Sequence, residues 1–283
     1  MKIITSVKWM KTLAQDLRQK RNIIGFVPTL GALHEGHLSL IRAARKKADI
    51  VVVSIFVNPT QFGPTEDFHQ YPRNPGGDQE KCKKSGVDIL FVPSVSQMYT
   101  KDHTTFVITE RLTEVLCGPF RPSHFRGVTT VVSKLLNIVR PHLAFFGQKD
   151  YQQAVVIRQM VKDLYFDTKI VTVPTVRERD KLAMSSRNAY LSSQERQAAR
   201  VLYQALIIGK EMILNGEGNP LKIRAQMEAV IKKEPLARIE YVSLCHPKTL
   251  QEVQKVEGKT LIALAVWIGK TRLIDNILAK WRK

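Results

Sequence analysis

Two histidines, His34 and His37, stand three residues apart in the stretch Gly25-Phe26-Val27-Pro28-Thr29-Leu30-Gly31-Ala32-Leu33-His34-Glu35-Gly36-His37. On a helical turn that spacing puts both rings on one side. Gly36 between them lets a flat or bulky ligand approach the backbone. Three later clusters carry the same kind of group: Asn58 with Gln61, Gly147-Gln148-Lys149-Asp150 with Gln153, and Ser185-Ser186-Arg187. A phosphate takes Lys as a point charge and Arg as a fork. A phosphoryl group in transfer is stabilised mainly by positioned positive charge. The chain shows no obvious carboxylate dyad and no Gly-x-Ser-x-Gly elbow. The set therefore suits nucleotide chemistry at an α- or β-phosphate better than hydrolysis by a nucleophilic side chain.

These clusters need elements to hold them. The apolar run Ile23 to Val27 reads as a buried strand that Pro28 ends. Gly31 permits a tight turn, and Leu38, Leu40, Ile41 and Ala44 then recur at helical spacing over 37–48. Such a strand, loop and helix start can set backbone N–H groups and the positive end of a helix against an anion. Residues 50–57 are β-branched and apolar on both faces, as in a parallel sheet. Asn58 to Pro64 follow that strand, where α/β sheets bind ligands. Further strands are expected at 87–93, 143–146 and 170–173, with an edge or excursion strand at 104–108. Helices are expected at 7–20, 77–85, 128–139 and 151–164. Arg121, His124 and Arg126 fall in a loop on this reading. The pattern changes near residues 178–190. Two helices, 193–214 and 221–233, precede three strand-like runs at 238–244, 260–268 and 271–277. The expected organisation is an α/β domain over 1–177 and a smaller C-terminal α+β domain over 178–283 that forms a lid.

Composition limits the alternatives. The chain has 283 residues, 44% hydrophobic and 24% charged, as expected of a soluble globular protein of about two domains. No apolar run is long enough to span a bilayer, and Met1 to Thr5 lack the core of a signal peptide. Cys82, Cys117 and Cys245 are odd in number and form no CxxC pair, so neither a disulfide framework nor a zinc site is indicated. A cytoplasmic protein with reduced thiols is expected. The net charge of +19 is compatible with nucleic-acid binding. The basic residues are spread along the chain without aromatic interleaving or a nucleic-acid motif, so a basic solvated surface is the preferred reading.

Each cluster also has a plainer role open to it. His34 and His37 could cap a helix, and Asn58 and Gln61 could form a turn. Asp150 could favour a helix dipole, and Ser185-Ser186 could cap a helix. Glu178 and Asp180 could pair with Arg177 and Arg179 on the surface, and Asp78 reads as a first-turn helix residue rather than a metal ligand.

His34-Glu35-Gly36-His37 resembles the His-x-Gly-His signature of nucleotidyltransferases and class I aminoacyl-tRNA synthetases, and Met184-Ser185-Ser186-Arg187 resembles their second phosphate loop. Within that superfamily, five strings in register resemble the pantoate–β-alanine ligase family: Pro28 to His37, Phe56 to Phe62, His124 to Val128, Phe146 to Gln153 and Leu182 to Asn188. The likeness runs to Thr271-Arg272-Leu273-Ile274-Asp275-Asn276. Leu30 stands where the family usually has Met, a change that conserves volume.

The resemblance implies a Rossmann-like parallel sheet flanked by helices. It implies ATP-dependent condensation of (R)-pantoate with β-alanine through pantoyl adenylate, giving pantothenate, AMP and pyrophosphate. Mg²⁺ would accompany ATP, with no protein ligand identified. By the same resemblance Leu30, Gly31, Ala32, Leu33, His34, Glu35, Gly36 and His37 line the ATP site, with His37 as proton donor. Gly147, Gln148, Lys149 and Asp150 would meet the nucleotide, Lys149 at phosphate and Asp150 at ribose. Val176, Met184, Ser185, Ser186 and Arg187 would meet adenine and phosphate. Gln61 and Gln153, with Asn58, would hold pantoate and β-alanine. The expected partners are these small molecules and a second copy of the chain in a homodimer, with neither membrane nor nucleic acid. Another adenylate-forming or nucleotidyl-transferring member of the superfamily is the alternative enzyme.

Overall fold

The computed structural model describes residues 1–64 and 66–281, which fall into two compact units. The first comprises 1–110, 121–148 and 153–174; the second comprises 111–120, 149–152 and 175–283.

The first unit alternates strands and helices. In chain order it contains β1 (Lys2–Ile4), α1 (Val7–Gln19), β2 (Ile24–Thr29), α2 (Glu35–Arg45), β3 (Ile50–Ile55), α3 (Pro75–Lys84), β4 (Ile89–Phe91), α4 (Val95–Met98), α5 (His124–Val139), β5 (Leu143–Gly147), α6 (Tyr151–Asp163) and β6 (Lys169–Val173). The first residues of α6, Tyr151 and Gln152, are assigned to the second unit. All six strands are parallel, in the order β1-β4-β3-β2-β5-β6. Strand order reverses between β2 and β5, so the loops leaving those two strands meet the crevice where α/β sheets take ligands. Alternation along each strand splits the core in two. Phe26 and Val52 pack into one cluster with α1, α5 and α6, while Val27, Val51 and Val53 pack into another with α2 and Cys82 of α3. Both faces of the sheet are thus covered, the reason these strands read as continuous apolar runs.

Several boundaries differ from the sequence reading. Pro28 does not end β2; it pairs with Ser54 inside the strand. The β5 ladder stops at Phe26, so at Pro28 a missing N–H costs nothing on that side. Helix α2 starts at Glu35 because His34 caps it. Helix α5 starts at His124, which puts His124 and Arg126 on a helix and not in a loop. Residues 104–108 form no strand. The short β1 and α4 carry too few residues to show a period.

The second unit holds α7 (Ser193–Ala199), α8 (Val201–Leu214), α9 (Pro220–Lys232), β7 (Ala237–Cys245), β8 (Lys259–Ile268) and β9 (Thr271–Lys280). The helix expected over 193–214 is broken at Arg200. The three strands form an antiparallel sheet in the order β7-β8-β9. Leu202, Leu206, Ile223 and Met227 from the helices pack with Leu244, Ile262 and Leu264 from the sheet. The fold class is therefore as expected, a parallel α/β sheet with a smaller α+β block.

Candidate active site

The β2–α2 loop is built from its own polar groups. Gly31 and Ala32 both take positive φ, 88° and 49°, a conformation easy for glycine and strained for alanine. Thr29 Oγ1 donates to Ser54 O at 2.7 Å and accepts from Gly31 N at 3.2 Å. The buried Asp78 carboxylate accepts from Ala32 N at 2.8 Å and Leu33 N at 2.7 Å. Lys81, one turn along α3, donates to Leu33 O at 2.6 Å. Asp78 is a first-turn residue of α3, as its position implied, but its task is to hold this loop from 45 residues away.

The histidines close the same turn. His34 is the N-cap of α2; its Nδ1 accepts from Gly36 N at 3.1 Å. His37 Nδ1 accepts from His34 N at 3.3 Å, completing a reciprocal capping box. The ring centroids lie 4.1 Å apart. An Nδ1 that accepts a backbone N–H leaves the ring proton on Nε2. Each ring is thereby a fixed Nε2–H donor at the positive end of a helix. This corrects one expectation. The N–H groups of Gly31, Ala32, Leu33, His34 and Gly36 all have internal acceptors, so an anion here meets imidazoles and the helix dipole rather than an open nest of amides. Glu35 pairs with Arg42 along α2.

The second cluster follows β3, on the 3-10 turn Pro59–Gln61. Asn58 was expected at the substrate, but it is fully buried and every amide site is used. Its Nδ2 donates to Gln61 Oε1 and Gly127 O, both at 3.1 Å. Its Oδ1 accepts from Tyr99 OH at 2.8 Å and Thr60 Oγ1 at 3.0 Å. Asn58 therefore positions Gln61. Because Gln61 Oε1 is taken, Nε2 is the end of that amide left to donate to a carboxylate. From α5, the His124 ring sits 2.9 Å from Gln61 O. Arg121, paired with Glu66 through Nε at 2.8 Å, reaches the same carbonyl. The turn presses so closely on α5 that a Cβ on Gly127 would lie 2.3 Å from Thr60 O. The sequence showed His124 and Gly127 as part of a string, but not as the brace under Gln61.

Gly147 ends β5, and Gln148 opens the next 3-10 turn. The Gln153 side chain, half-buried on α6, makes no hydrogen bond to another described residue, so its amide is uncommitted. Its neighbour Gln152 is fully used: Oε1 accepts from Cys117 N at 3.0 Å, and Nε2 donates to Leu112 O at 3.0 Å and Val115 O at 2.7 Å.

The remaining predicted residues belong to the second unit. Lys149 Nζ lies 3.5 Å from Asp150 Oδ1, and Lys149 O accepts from Asn276 Nδ2 at 2.8 Å. Asp275, next in chain, binds Arg177 bidentately at 2.6 and 2.9 Å. Burial pushes the Asp275 carboxyl above the usual range despite that partner. Val176 O accepts from Met184 N at 3.0 Å. Ser185 caps the 3-10 turn Ser186–Tyr190, its Oγ accepting from Arg187 N at 3.3 Å. The second unit thus holds a lysine and an arginine on short turns tied down by β9 and by a cap. Sequence reading matched the string through Asn276 without showing that Asp275 and Asn276 fasten Arg177 and Lys149.

Chemically, these groups donate hydrogen bonds and positive charge. Cys82 and Cys245 are buried, and burial pushes both thiols up to about 12, which excludes them as thiolates near neutrality. Among the described residues no three His, Cys, Asp or Glu side chains are grouped to hold a metal ion.

A parallel sheet with a capped His-x-Gly-His turn beyond β2 and cationic turns elsewhere defines a nucleotide-binding enzyme of the α/β class. The sequence profile described as pantoate–β-alanine ligase matches residues 2–278, and the chain belongs to that family. A pantothenate synthetase of Carboxydothermus hydrogenoformans is 53% identical over 98% of this chain and 99% of its own. One from Moorella thermoacetica is 52% identical over 98% of each. The pantothenate synthetase structure from Thermus thermophilus superposes with TM-score 0.93 at 42% identity, covering 98% of this chain and 99% of that one. The Francisella tularensis pantoate–β-alanine ligase, solved with β,γ ATP and β-alanine, superposes with TM-score 0.80 at 37% identity over 98% and 97%. The activity that accompanies this membership is the ATP-dependent ligation of pantoate to β-alanine through pantoyl adenylate, releasing AMP and pyrophosphate.

Proposed function

We propose how this chain's residues divide that reaction. The carboxylate of (R)-pantoate attacks the α-phosphorus of ATP and pyrophosphate leaves; the β-alanine amine then attacks the acyl carbon and AMP leaves. His34 and His37 donate hydrogen bonds from Nε2 to the phosphate oxygens, His37 being the residue that matches the family's proton donor. Lys149 and Arg187 add positive charge where it develops on the phosphates. Leu30 to Gly36, Gly147 and Gln148 line the nucleotide, Asp150 takes the ribose hydroxyls, and Val176 with Met184, Ser185 and Ser186 takes adenine and phosphate. Gln61 and Gln153 hold pantoate, and Gln61 also lies near β-alanine. Bringing two anions together asks for donors and cations, not for a side-chain nucleophile.

Mg²⁺ is expected as the ion carried by the triphosphate. The donor set is neutral or cationic and fits phosphate oxygens, while Mg²⁺ is commonly bound through substrate phosphates and water. A homodimer and a cytoplasmic location complete the reading. No described helix is long and apolar enough to cross a membrane.

The observation that carries the reading is the reciprocal cap fixing both imidazoles as Nε2–H donors. Turnover with pantoate, β-alanine and Mg-ATP, detecting pantothenate and AMP, tests it. AMP should appear at a steady rate only when both acids are present. His37→Ala and Lys149→Ala should each lower adenylate formation by about 10²–10³-fold with folding unchanged. Near-normal turnover in either variant would refute these roles.

A further inference from the structure

The segment before Ser185 doubles back on itself. Glu178 N donates to Leu182 O at 2.9 Å, Arg177 and Ala183 form an antiparallel bridge, and Met184 N reaches Val176 O. The returning arm runs directly into Ser185-Ser186-Arg187. Asn188 closes that segment from the far side. It is buried, its N–H donates to Ser185 O at 3.0 Å, and its Nδ2 donates to Ala183 O at 3.1 Å and Glu178 Oε1 at 2.7 Å. The other oxygen of Glu178 accepts from Arg196 Nη2 at 2.6 Å, and the same nitrogen lies 3.0 Å from Asp180 Oδ2. Arg196 is fixed in turn on α7, whose N-terminus carries a Ser192–Glu195 capping box. Glu178 and Asp180 therefore do not form surface pairs with Arg177 and Arg179; Arg177 goes to Asp275. The two carboxylates beside Arg196 raise its basicity above the ordinary guanidinium range.

We propose that Glu178 is a positioning residue for ATP, holding Ser185-Ser186-Arg187 in its binding shape through Asn188 on one side and Arg196 on the other. The inference rests on the reading of Ser185 to Arg187 as a phosphate-binding segment. A segment held only as the cap and first two residues of a short 3-10 turn would lose backbone freedom on binding a phosphate if nothing else fixed it. Prior fixation by a charged second layer removes that cost from the binding step. Glu178 alone among these residues touches both supports, because its carboxylate spans the Asn188 amide and the Arg196 guanidinium.

The test separates ATP from the other substrates. Glu178→Ala should raise the KM for ATP, and its dissociation constant by calorimetry, about tenfold. The KM values for pantoate and β-alanine should stay within about twofold, as should the rate of β-alanine attack on preformed pantoyl adenylate. Glu178→Gln keeps an oxygen for Asn188 and should recover part of the loss. Arg196→Ala should resemble Glu178→Ala, and it serves if Glu178→Ala folds poorly. An unchanged ATP affinity in these variants, or an equal loss for all three substrates with a lowered Tm, overturns the proposal. Arg187→Ala is the separate check. If it leaves ATP affinity intact, the reading of the segment fails and the proposal with it. If it weakens ATP while Glu178→Ala does not, only the positioning role falls.

Discussion

Asp78 Oδ1 accepts the backbone N–H of Leu33 at 2.7 Å, while its other oxygen accepts that of Ala32 at 2.8 Å. One buried carboxylate thus fixes a turn in which Ala32 carries a positive φ. The turn delivers His34 to the N-cap of α2, so the geometry of both imidazoles depends on a side chain from α3.

Asp78→Asn tests that dependence with almost no change in shape. The new NH₂ group would face one of the two N–H donors, and one buried backbone donor would lose its acceptor. The expected cost is about 1–3 kcal/mol in urea unfolding. Adenylate formation should fall as well, since the imidazoles lose their fixed placement. Wild-type adenylation rates in a destabilised Asp78→Asn protein would uncouple the turn from the histidines.

Gly127 supports the acyl side of the site. A methyl group there would overlap Thr60 O and come within 2.6 Å of Gln61 Cα. Backbone cannot give way as a flexible side chain can, so the 59–61 turn must move. Gly127→Ala should raise the KM for pantoate by about tenfold or more, because small displacements of positioning groups carry large rate costs. ATP binding without pantoate, measured by calorimetry, should change little. A variant with weakened ATP and normal pantoate would contradict the assignment of Gln61.

Local patterns in the sequence carried much of the fold. Apolar runs such as Ile50 to Val57 announced a sheet covered on both faces, and the helix after His37 showed its period. Pro28 misled because its effect depends on which neighbouring strand lies beside it, and the short β5 ladder decides that. Donor types at His34, His37, Lys149 and Arg187 were legible, while their supports were not. Asp78 lies 45 residues from Leu33, Asp275 98 from Arg177 and Asn276 127 from Lys149. No periodicity links such pairs, because tertiary folding alone makes them neighbours. Asn58 looked like a ligand residue by its type and place; its burial reveals that its capacity is spent on Gln61, Gly127, Thr60 and Tyr99.

The Arg177–Asp275 pair gives a prediction with a definite pH sign. Asp275 is almost fully buried, and Arg177 is its only cationic hydrogen-bond donor among the described residues. Removing one partner of a buried pair leaves an uncompensated charge, so Arg177→Leu should lose about 3–5 kcal/mol near neutral pH. Burial already raises the Asp275 pKa from its ordinary 3.8, and loss of the guanidinium removes the main opposing effect. A carboxyl whose folded pKa is raised adds stability below its unfolded pKa and loses it as pH rises through the folded value. The deficit of Arg177→Leu against wild type should therefore shrink as pH falls toward the ordinary carboxyl range. A constant deficit across pH would show that the carboxylate is not the origin of the loss.

His142 makes the opposite prediction at milder pH. It precedes β5 and joins the sheet on both sides: its N–H donates to Ile24 O at 2.9 Å, and its O accepts from Lys169 N at 2.9 Å. The ring also takes part, because Nδ1 accepts from Ile24 N at 3.0 Å. Burial lowers the imidazole pKa below the ordinary 6.5, helped by the Arg18 charge and opposed by Asp167 and Asp49. A lowered folded pKa means that the unfolded chain binds the proton more readily. The stabilisation is therefore complete above about pH 6.5 and is lost as pH falls through the folded pKa, when Nδ1 gains a hydrogen and turns from acceptor to donor against Ile24. His142→Asn offers an oxygen to Ile24 N at every pH. Wild-type Tm should drop more steeply than that of His142→Asn between about pH 7.5 and 5.5, since all other titrations are shared and cancel in the comparison. Parallel Tm profiles would place the acid sensitivity elsewhere in the chain.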